Sequence, residues 1–319
     1  VQTLWLDAGG RRTQAETGLM EAEVLLGPPG GQREPQWWQE WIDVHLSHCL
    51  PPFYDADLDQ LRATASAIAE PVETHGTPLQ KAQARLVTWL IDIKENRLAS
   101  TDRTIGLAQE VAAAFAAAGS PDLLFAAEGA LAVTFLFCRE RREEAWRHLV
   151  LHRELAREKH EFIHQVRALW LQALWHRFHG DDDATRACAL ETLALLDDRP
   201  IARWRGQARG DLSWVAWRRN DSGAAEAMAK TGLSELEPLS PRSPYEWQVR
   251  WTLLAAALAA DRPEIAAAHG AAMLDPSQQK LPGQVEPLLA RTVAEAREGR
   301  LQKETESALL AAARGEGYL

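Results

Sequence analysis

The sequence predicts an all-α fold, a right-handed superhelical solenoid of tetratricopeptide-like helical hairpins with a period near 40 residues. The first observation is the spacing of apolar residues, which recur three and four positions apart, as at Phe162, Val166, Leu169 and Ala173. The second is that no segment alternates apolar and polar residues for long enough to predict a strand. Together they indicate amphipathic helices throughout.

The third observation is that the breaks between helices recur at an interval of about 40 residues. The predicted turns lie at Glu140, Gly180, Asn220, Ala260 and Gly299. An aromatic or apolar helix precedes each of the first four turns, and a helix rich in small residues follows it. A fixed period of this size is typical of stacked helical hairpins, because one hairpin cannot bury its apolar faces alone. We expect Gly180, Asn220 and Gly299 to adopt positive φ angles in tight turns.

The first part of the chain is less regular. Residues 1–36 are predicted to form a partial hairpin and a linker, with a turn at Gly9-Gly10-Arg11 and a linker-like stretch over 27–31. A tryptophan-rich helix is expected to open at Trp37 and to run to about residue 50. From there the prediction is one continuous array of about seven hairpins over 37–319.

The repeats that follow are predicted as pairs of helices. The first helices lie at 160–180, 201–220 and 243–260, and their second helices lie at 181–197, 221–236 and 262–274. Ser120-Pro121 and Asp221 are predicted to cap the helices that follow them, because a Ser or Asp side chain can accept from an unpaired backbone N–H. Most of the 13 tryptophans are expected to fill gaps between long helices.

Composition bounds the possible functions. The chain has 35 Lys+Arg against 45 Asp+Glu, a net charge of −10, which argues against a general nucleic-acid binder. Cys49, Cys138 and Cys188 are too few for a disulfide framework, and we expect buried free thiols in a reducing compartment.

The sequence also bears on location. Its longest uncharged apolar runs are about ten residues, whereas a membrane-spanning helix needs about 20. The N-terminus resembles no signal peptide and lacks an initiator Met. We therefore expect a cytoplasmic location, no membrane partner, and an excerpt of a longer protein.

One motif points to zinc chemistry. His160-Glu161-Phe162-Ile163-His164 matches H-E-x-x-H, in which two histidines one helical turn apart hold zinc and the glutamate serves as general base. However, His160 falls where one predicted helix ends and the next begins, so the required geometry is not expected. A zinc-dependent hydrolase through His160, Glu161 and His164 is the alternative to a binding function, with a free-standing peptide-binding scaffold as a third possibility.

No phosphate-binding loop of the Walker or dinucleotide type is present, nor is a nucleophile elbow. We therefore expect no catalytic residues, no cofactor and no nucleotide hydrolysis. The predicted working surface is the concave side of the solenoid, where first helices carry more Trp and Arg than an apolar stripe requires. The candidate partner-binding residues are Arg167, Trp170, Arg177, Gln207, Trp214, Trp217, Arg218, Trp247 and Arg250.

The run Trp214-Val215-Ala216-Trp217-Arg218-Arg219-Asn220-Asp221, followed by Ala225-Glu226, resembles a known region. It is similar to the C-terminal helical repeats of large bacterial STAND-class signalling ATPases, as in ATPase–nucleotide-cyclase fusions and large LuxR-type regulators. Further similar pieces lie at 37–44, 75–80, 100–102, 276–282 and 317–319, and the likeness extends over about 19–319.

The resemblance implies a regulatory or sensor module that restrains or releases an upstream nucleotide-binding domain of the same parent chain. We expect this module to bind a protein partner, a peptide or a small effector on its concave face. The residues here contain no P-loop, cyclase domain or helix-turn-helix, so the chain is expected to be the repeat region alone.

Overall fold

The computed structural model describes residues 10–29, 33–49, 57–119, 124–199 and 201–319, with side chains from Thr17 onward. Within these ranges the chain is all-α, without strands, and contains fifteen α-helices. Consecutive helices pack against one another as helical hairpins, in the manner of an α-solenoid. The predicted all-α fold is therefore confirmed. Ser120-Pro121, Gly9 and the linker residues 30–31 lie outside the described residues.

The chain divides into two compact units. The first comprises 1–96 and 100–165, and the second comprises 97–99 and 166–319. The one continuous array over 37–319 stays a prediction.

The first unit contains helices from α1 to the start of α8. Its helices are α1 (Gly10–Leu26), α2 (Pro35–Ser47), α3 (Leu58–His75), α4 (Pro78–Glu95), α5 (Asp102–Ala117), α6 (Leu124–Leu136) and α7 (Arg142–Glu158). The turn predicted at Gly9-Gly10-Arg11 is wrong for its last two residues, because Gly10 and Arg11 already belong to α1. The tryptophan-rich helix begins at Pro35 rather than Trp37, since a proline at a first helical position loses no hydrogen bond.

The second unit holds the regular repeats. Helix α8 (Phe162–Phe178) enters it at Val166, and the others are α9 (Asp182–Leu195), α10 (Ala202–Arg218), α11 (Ser222–Leu236), α12 (Trp247–Ala259), α13 (Pro263–Met273), α14 (Val285–Arg297) and α15 (Lys303–Gly315). The predicted first and second helices thus correspond to α8 to α13. Helices α10 and α12, the first helices of neighbouring hairpins, contact each other directly.

The predicted turn residues lie between these helices. Gly180, Asn220 and Gly299 have φ angles of 71°, 60° and 65°, so the prediction of positive φ is confirmed. Ala260 follows the last residue of α12, and Glu140 lies in a short 3-10 helix between α6 and α7. The sequence period therefore corresponds to real helix ends.

Most of the tryptophans whose side chains are described are buried, as predicted. Seven are buried: Trp41, Trp89, Trp170, Trp204, Trp214, Trp247 and Trp251. The expectation of three buried thiols is wrong for Cys138, which is half-buried beside the 3-10 helix, whereas Cys49 and Cys188 are buried.

The predicted cap of α11 is present. The Asp221 carboxylate accepts a hydrogen bond from the backbone N–H of Ala224 at 3.0 Å, which satisfies one of the unpaired donors of the first turn. Asp181 caps α9 in the same way through Ala184. Asp181 and Asp221 are thus the N-cap residues at which α9 and α11 start.

We expect Asp221→Ala to lower the free energy of unfolding by about 1 kcal/mol, because the N–H of Ala224 then loses its side-chain acceptor. Asp221→Asn is the matched control, since the amide oxygen can still accept. Chemical denaturation measures both. Equal stability of the alanine variant and the wild type would show that the cap contributes nothing.

Helices α10 and α11 approach closely through glycines. A Cβ on Gly206 would lie 2.6 Å from Cγ of Leu236 and 2.9 Å from the carbonyl oxygen of Gly232. A Cβ on Gly232 would in turn lie 2.9 Å from the carbonyl oxygen of Gly206. At these two glycines the backbones of α10 and α11 therefore meet without a side chain between them. The contact holds α10 close to α11 in the second unit.

Candidate functional site

The nine predicted partner-binding residues all lie on first helices of the second unit, but most are not exposed. Six of them are buried: Trp170, Arg177, Gln207, Trp214, Trp247 and Arg250. Arg167 and Trp217 are half-buried, and the Arg218 side chain is 39% exposed. The expectation that Arg177 and Arg250 line an exposed groove is therefore wrong, because the chain's own segments and ion pairs cover both.

Arg177, near the end of α8, holds the last residues of the sequence. It is fully buried, and its Nη2 donates to the carbonyl oxygen of Tyr318 at 2.7 Å. Its Nε donates to the carbonyl oxygen of Gly317 at 3.2 Å. Both acceptors are main-chain groups, so this guanidinium recognises a peptide backbone rather than a particular side chain.

The side chain of Tyr318 lies among aromatic rings from two first helices. Its ring centroid is 4.5 Å from that of Trp247, 5.7 Å from Phe178 and 6.2 Å from Trp251. Only 3% of Tyr318 and 2% of Leu319 is exposed. We call Glu316–Leu319 the 316–319 segment, and the place formed by Arg177, Phe178, Trp247 and Trp251 the segment site.

Gly317 allows the segment to approach α8. It has a φ of 77°, and a Cβ there would lie 2.7 Å from Cα of Phe178. A side chain at this position would collide with the helix backbone and would also strain the left-handed conformation. The close approach is what brings the two carbonyl groups within reach of Arg177.

A buried polar network from α10 and α12 supports Arg177. Its Nη1 lies 3.2 Å from Oδ1 of Asp211, which is also fully buried. Gln248 donates through Nε2 to the same oxygen at 3.1 Å, and its own Oε1 accepts from the Trp170 indole at 3.0 Å. The network therefore joins α8, α10 and α12, and it fixes the guanidinium in one orientation.

Burial governs the ionisation of this pair. Removal from water raises the pKa of Asp211 to about 6, against the attraction of Arg177 and the hydrogen bond from Gln248. It also lowers the pKa of Arg177 to about 10, which leaves the guanidinium charged at neutral pH. Oδ2 of Asp211 has no hydrogen-bond partner among the described residues, which agrees with a carboxylate that is costly to ionise.

The pKa of Asp211 predicts a specific pH dependence. Because its pKa in the folded state lies above 3.8, the folded state binds this proton more tightly than the unfolded state. The stabilisation is therefore complete below about pH 3.8 and is lost as the pH rises through about 6. We expect the free energy of unfolding of the wild type, minus that of Asp211→Asn, to fall over this interval. A difference that rises instead would show that pairing with Arg177 outweighs burial.

Trp214 connects the segment site to an exposed edge. The guanidinium carbon of Arg177 lies 5.4 Å from the centroid of the Trp214 ring, and that of Arg218 lies 5.0 Å from it. Arg218 also pairs with Asp182 at 2.6 Å, at the start of α9. Of the predicted residues, Arg218 is therefore the accessible one next to Trp214, and the half-buried Trp217 precedes it on α10.

The remaining predicted residues have structural contacts. Arg250 pairs with the fully buried Glu246 at 2.8 Å, and Gln207 donates to Oγ of Ser243 at 3.4 Å. Trp170 packs against Tyr245 with ring centroids 4.7 Å apart. Ser243 and Tyr245, which precede α12, thus contact Gln207 of α10 and Trp170 of α8. Both contacted residues were predicted to be open to a partner.

The H-E-x-x-H motif does not form its helical geometry. His160 lies in the turn between α7 and α8 with a φ of 54°, whereas His164 lies in the first turn of α8. The His164 ring packs edge-on against Phe125 at 4.4 Å. Among the residues for which structure is described, no group of three His, Cys, Asp or Glu side chains is placed to hold a metal ion. The predicted helix boundary at His160 is confirmed, and the motif does not present two histidines on one helix face.

Three residues of this region, Asp211, Gln248 and Tyr318, were not predicted from the sequence. Asp211 offered a signal, because the residues 40 positions before and after it are Leu171 and Trp251. A carboxylate at a repeat position that is apolar in the neighbouring hairpins predicts a buried charge with a dedicated partner. Tyr318 offered no such signal, since it lies beyond the last repeated helix.

Comparison with known proteins adds no identification. No protein-family model matches the chain, and no curated protein matches it. In the described part of the chain, no helix is long and apolar enough to cross a lipid bilayer.

Proposed function

We propose that the chain is a non-catalytic interaction module that binds an extended peptide, or an extended segment of a protein, on the first helices of its second unit. The observation that carries this proposal is the segment site. Two first helices, α8 and α12, already hold a stretch of main chain there through carbonyl-directed hydrogen bonds and an aromatic cluster, and Asp211 of α10 supports Arg177. Such contacts suit a peptide because every residue of an extended chain offers a carbonyl group.

The role of this binding is regulatory in the proposal. The resemblance to the repeat region of STAND-class signalling ATPases supports it, since repeats there control an upstream nucleotide-binding domain. The binding segment would then come from that domain or from a separate protein. The H-E-x-x-H alternative receives no support from the position of His160, which lies outside the helix that carries His164.

Selection of peptides from a random display library against the intact chain tests the proposal. We expect binders whose affinity falls at least tenfold in Trp217→Ala and in Arg218→Ala, because Arg218 is accessible beside Trp214 and Trp217 lies three residues after Trp214 on α10. Arg186→Ala is the matched control, since Arg186 is exposed on α9, a second helix. Failure to select any binder, or equal loss in all three variants, would contradict the proposal.

A further inference from the structure

Three buried hydrogen-bonding groups in or beside the segment site have no partner in the 316–319 segment. Oδ2 of Asp211 and the indole N–H groups of Trp214 and Trp251 are buried, and none has a hydrogen-bond partner among the described residues. All three lie on α10 or α12, and each residue belongs to the site or contacts Arg177. Buried polar groups are normally paired, so these three groups are candidates for pairing with a ligand.

The unused groups comprise one acceptor and two donors. An extended backbone carries one N–H donor and one carbonyl acceptor per residue, and it can therefore pair with both kinds. The 316–319 segment offers Arg177 only the carbonyls of Gly317 and Tyr318. The N–H of Tyr318 donates to the carbonyl oxygen of Ala313, so this donor is already engaged by the last turn of α15. In a fully extended peptide the backbone N–H groups would not be engaged in a turn and could pair with the site.

From these observations, and resting on the function proposed above, we infer that the 316–319 segment is a displaceable occupant of the peptide site. Its competitor is an extended peptide that carries an aromatic residue followed by an aliphatic one, as Tyr318-Leu319 does. The aromatic side chain would enter the cluster of Phe178, Trp247 and Trp251, and the main chain would accept from Arg177. Occupancy by the chain's own segment lowers the apparent affinity for the peptide in proportion to the fraction of sites that are closed.

The structure offers a variant that releases the segment without altering any side chain of the site. Gly317→Ala introduces a Cβ that would lie 2.7 Å from Cα of Phe178, at a residue whose φ is 77°. Gly283→Ala is the matched control: its φ of 51° imposes a similar backbone strain, but no heavy atom lies within 4 Å of its Cβ. Tyr318→Ala is a second release variant, which acts by removing the ring from the aromatic cluster.

The probe is a fluorescein-labelled Glu-Gly-Tyr-Leu amide, titrated with the full chain and followed by fluorescence anisotropy. We expect Gly317→Ala and Tyr318→Ala to bind the probe at least tenfold more tightly than the wild type and Gly283→Ala do. An unlabelled peptide with alanine in place of the tyrosine should compete at least tenfold less well than the unlabelled parent peptide.

Two results would overturn the inference. If the folded release variants bind the probe no more tightly than the wild type, the segment does not close the site. If the two unlabelled peptides compete equally, the aromatic cluster does not select the ligand. Library peptides that bind the wild type and depend on Trp217 and Arg218 would still support the proposed function in either case, so the two failures are distinguishable.

Discussion

Replacing Arg177 by methionine is expected to lower the free energy of unfolding by about 3–5 kcal/mol, because the change leaves a buried carboxylate without its ionic partner. Asp211 would keep only the hydrogen bond from Gln248. The carbonyl groups of Gly317 and Tyr318 would also lose their donor. Urea denaturation followed by circular dichroism measures the loss.

The matched control is Arg218→Met on α10. Arg218 also pairs with an aspartate, but its side chain is 39% exposed, so we expect a loss of no more than about 1 kcal/mol. The double variant Arg177→Met/Asp211→Leu should recover most of the stability, because no buried charge remains unpaired. Similar losses for Arg177→Met and Arg218→Met would show that burial does not set the energy of the Arg177 pair.

Gly206→Ala is expected to destabilise the protein by about 1–3 kcal/mol, since the new methyl group must push apart two helix backbones. The obstacle on one side is the carbonyl oxygen of Gly232, a main-chain atom that cannot rotate away, and on the other it is Leu236. Thermal denaturation, together with the free energy extrapolated from urea, measures the change.

Gly106→Ala provides the contrast, because Gly106 lies inside α5 and its Cβ would meet no heavy atom within 4 Å. Alanine there should raise the free energy of unfolding by about 0.5–1 kcal/mol, as expected for a helix interior. A stabilising effect of Gly206→Ala would mean that α10 and α11 are not held as closely as described.

The helical hairpins could be predicted because local signals and the repeat agree. Asp221 carries a cap signal and Asn220 a turn signal, and both coincide with the period of about 40 residues. Gly9-Gly10-Arg11 carries only a turn signal, and there the helix begins within the predicted turn. In the regular part of the chain, the repeat period thus showed which turn signals mark real helix ends. Near the start of the chain there is no repeat, so a turn signal alone misplaced the beginning of the helix.

The segment site was predictable only in part. The excess of Trp and Arg on first helices pointed to Arg177, Trp214 and Trp247, which the structure places within one network, and their binding of a partner stays a prediction. The burial of Arg177 and Trp247 was not predictable, because both contact Tyr318, which is 141 residues away from Arg177 along the sequence. Periodicity describes how helices stack, and it gives no information about a non-repeated segment that crosses them.

Hydrogen–deuterium exchange of the 316–319 segment tests the central claim most directly, because it reports whether that segment is held by the first helices and whether a peptide can replace it. In the free wild type, the amides of the segment should exchange as slowly as those of α14, another helix of the second unit. Saturation with a library-selected peptide should accelerate their exchange at least tenfold, while exchange in α14 stays unchanged. Exchange at 316–319 that is fast in the free protein, or that does not respond to saturating peptide, would contradict the account.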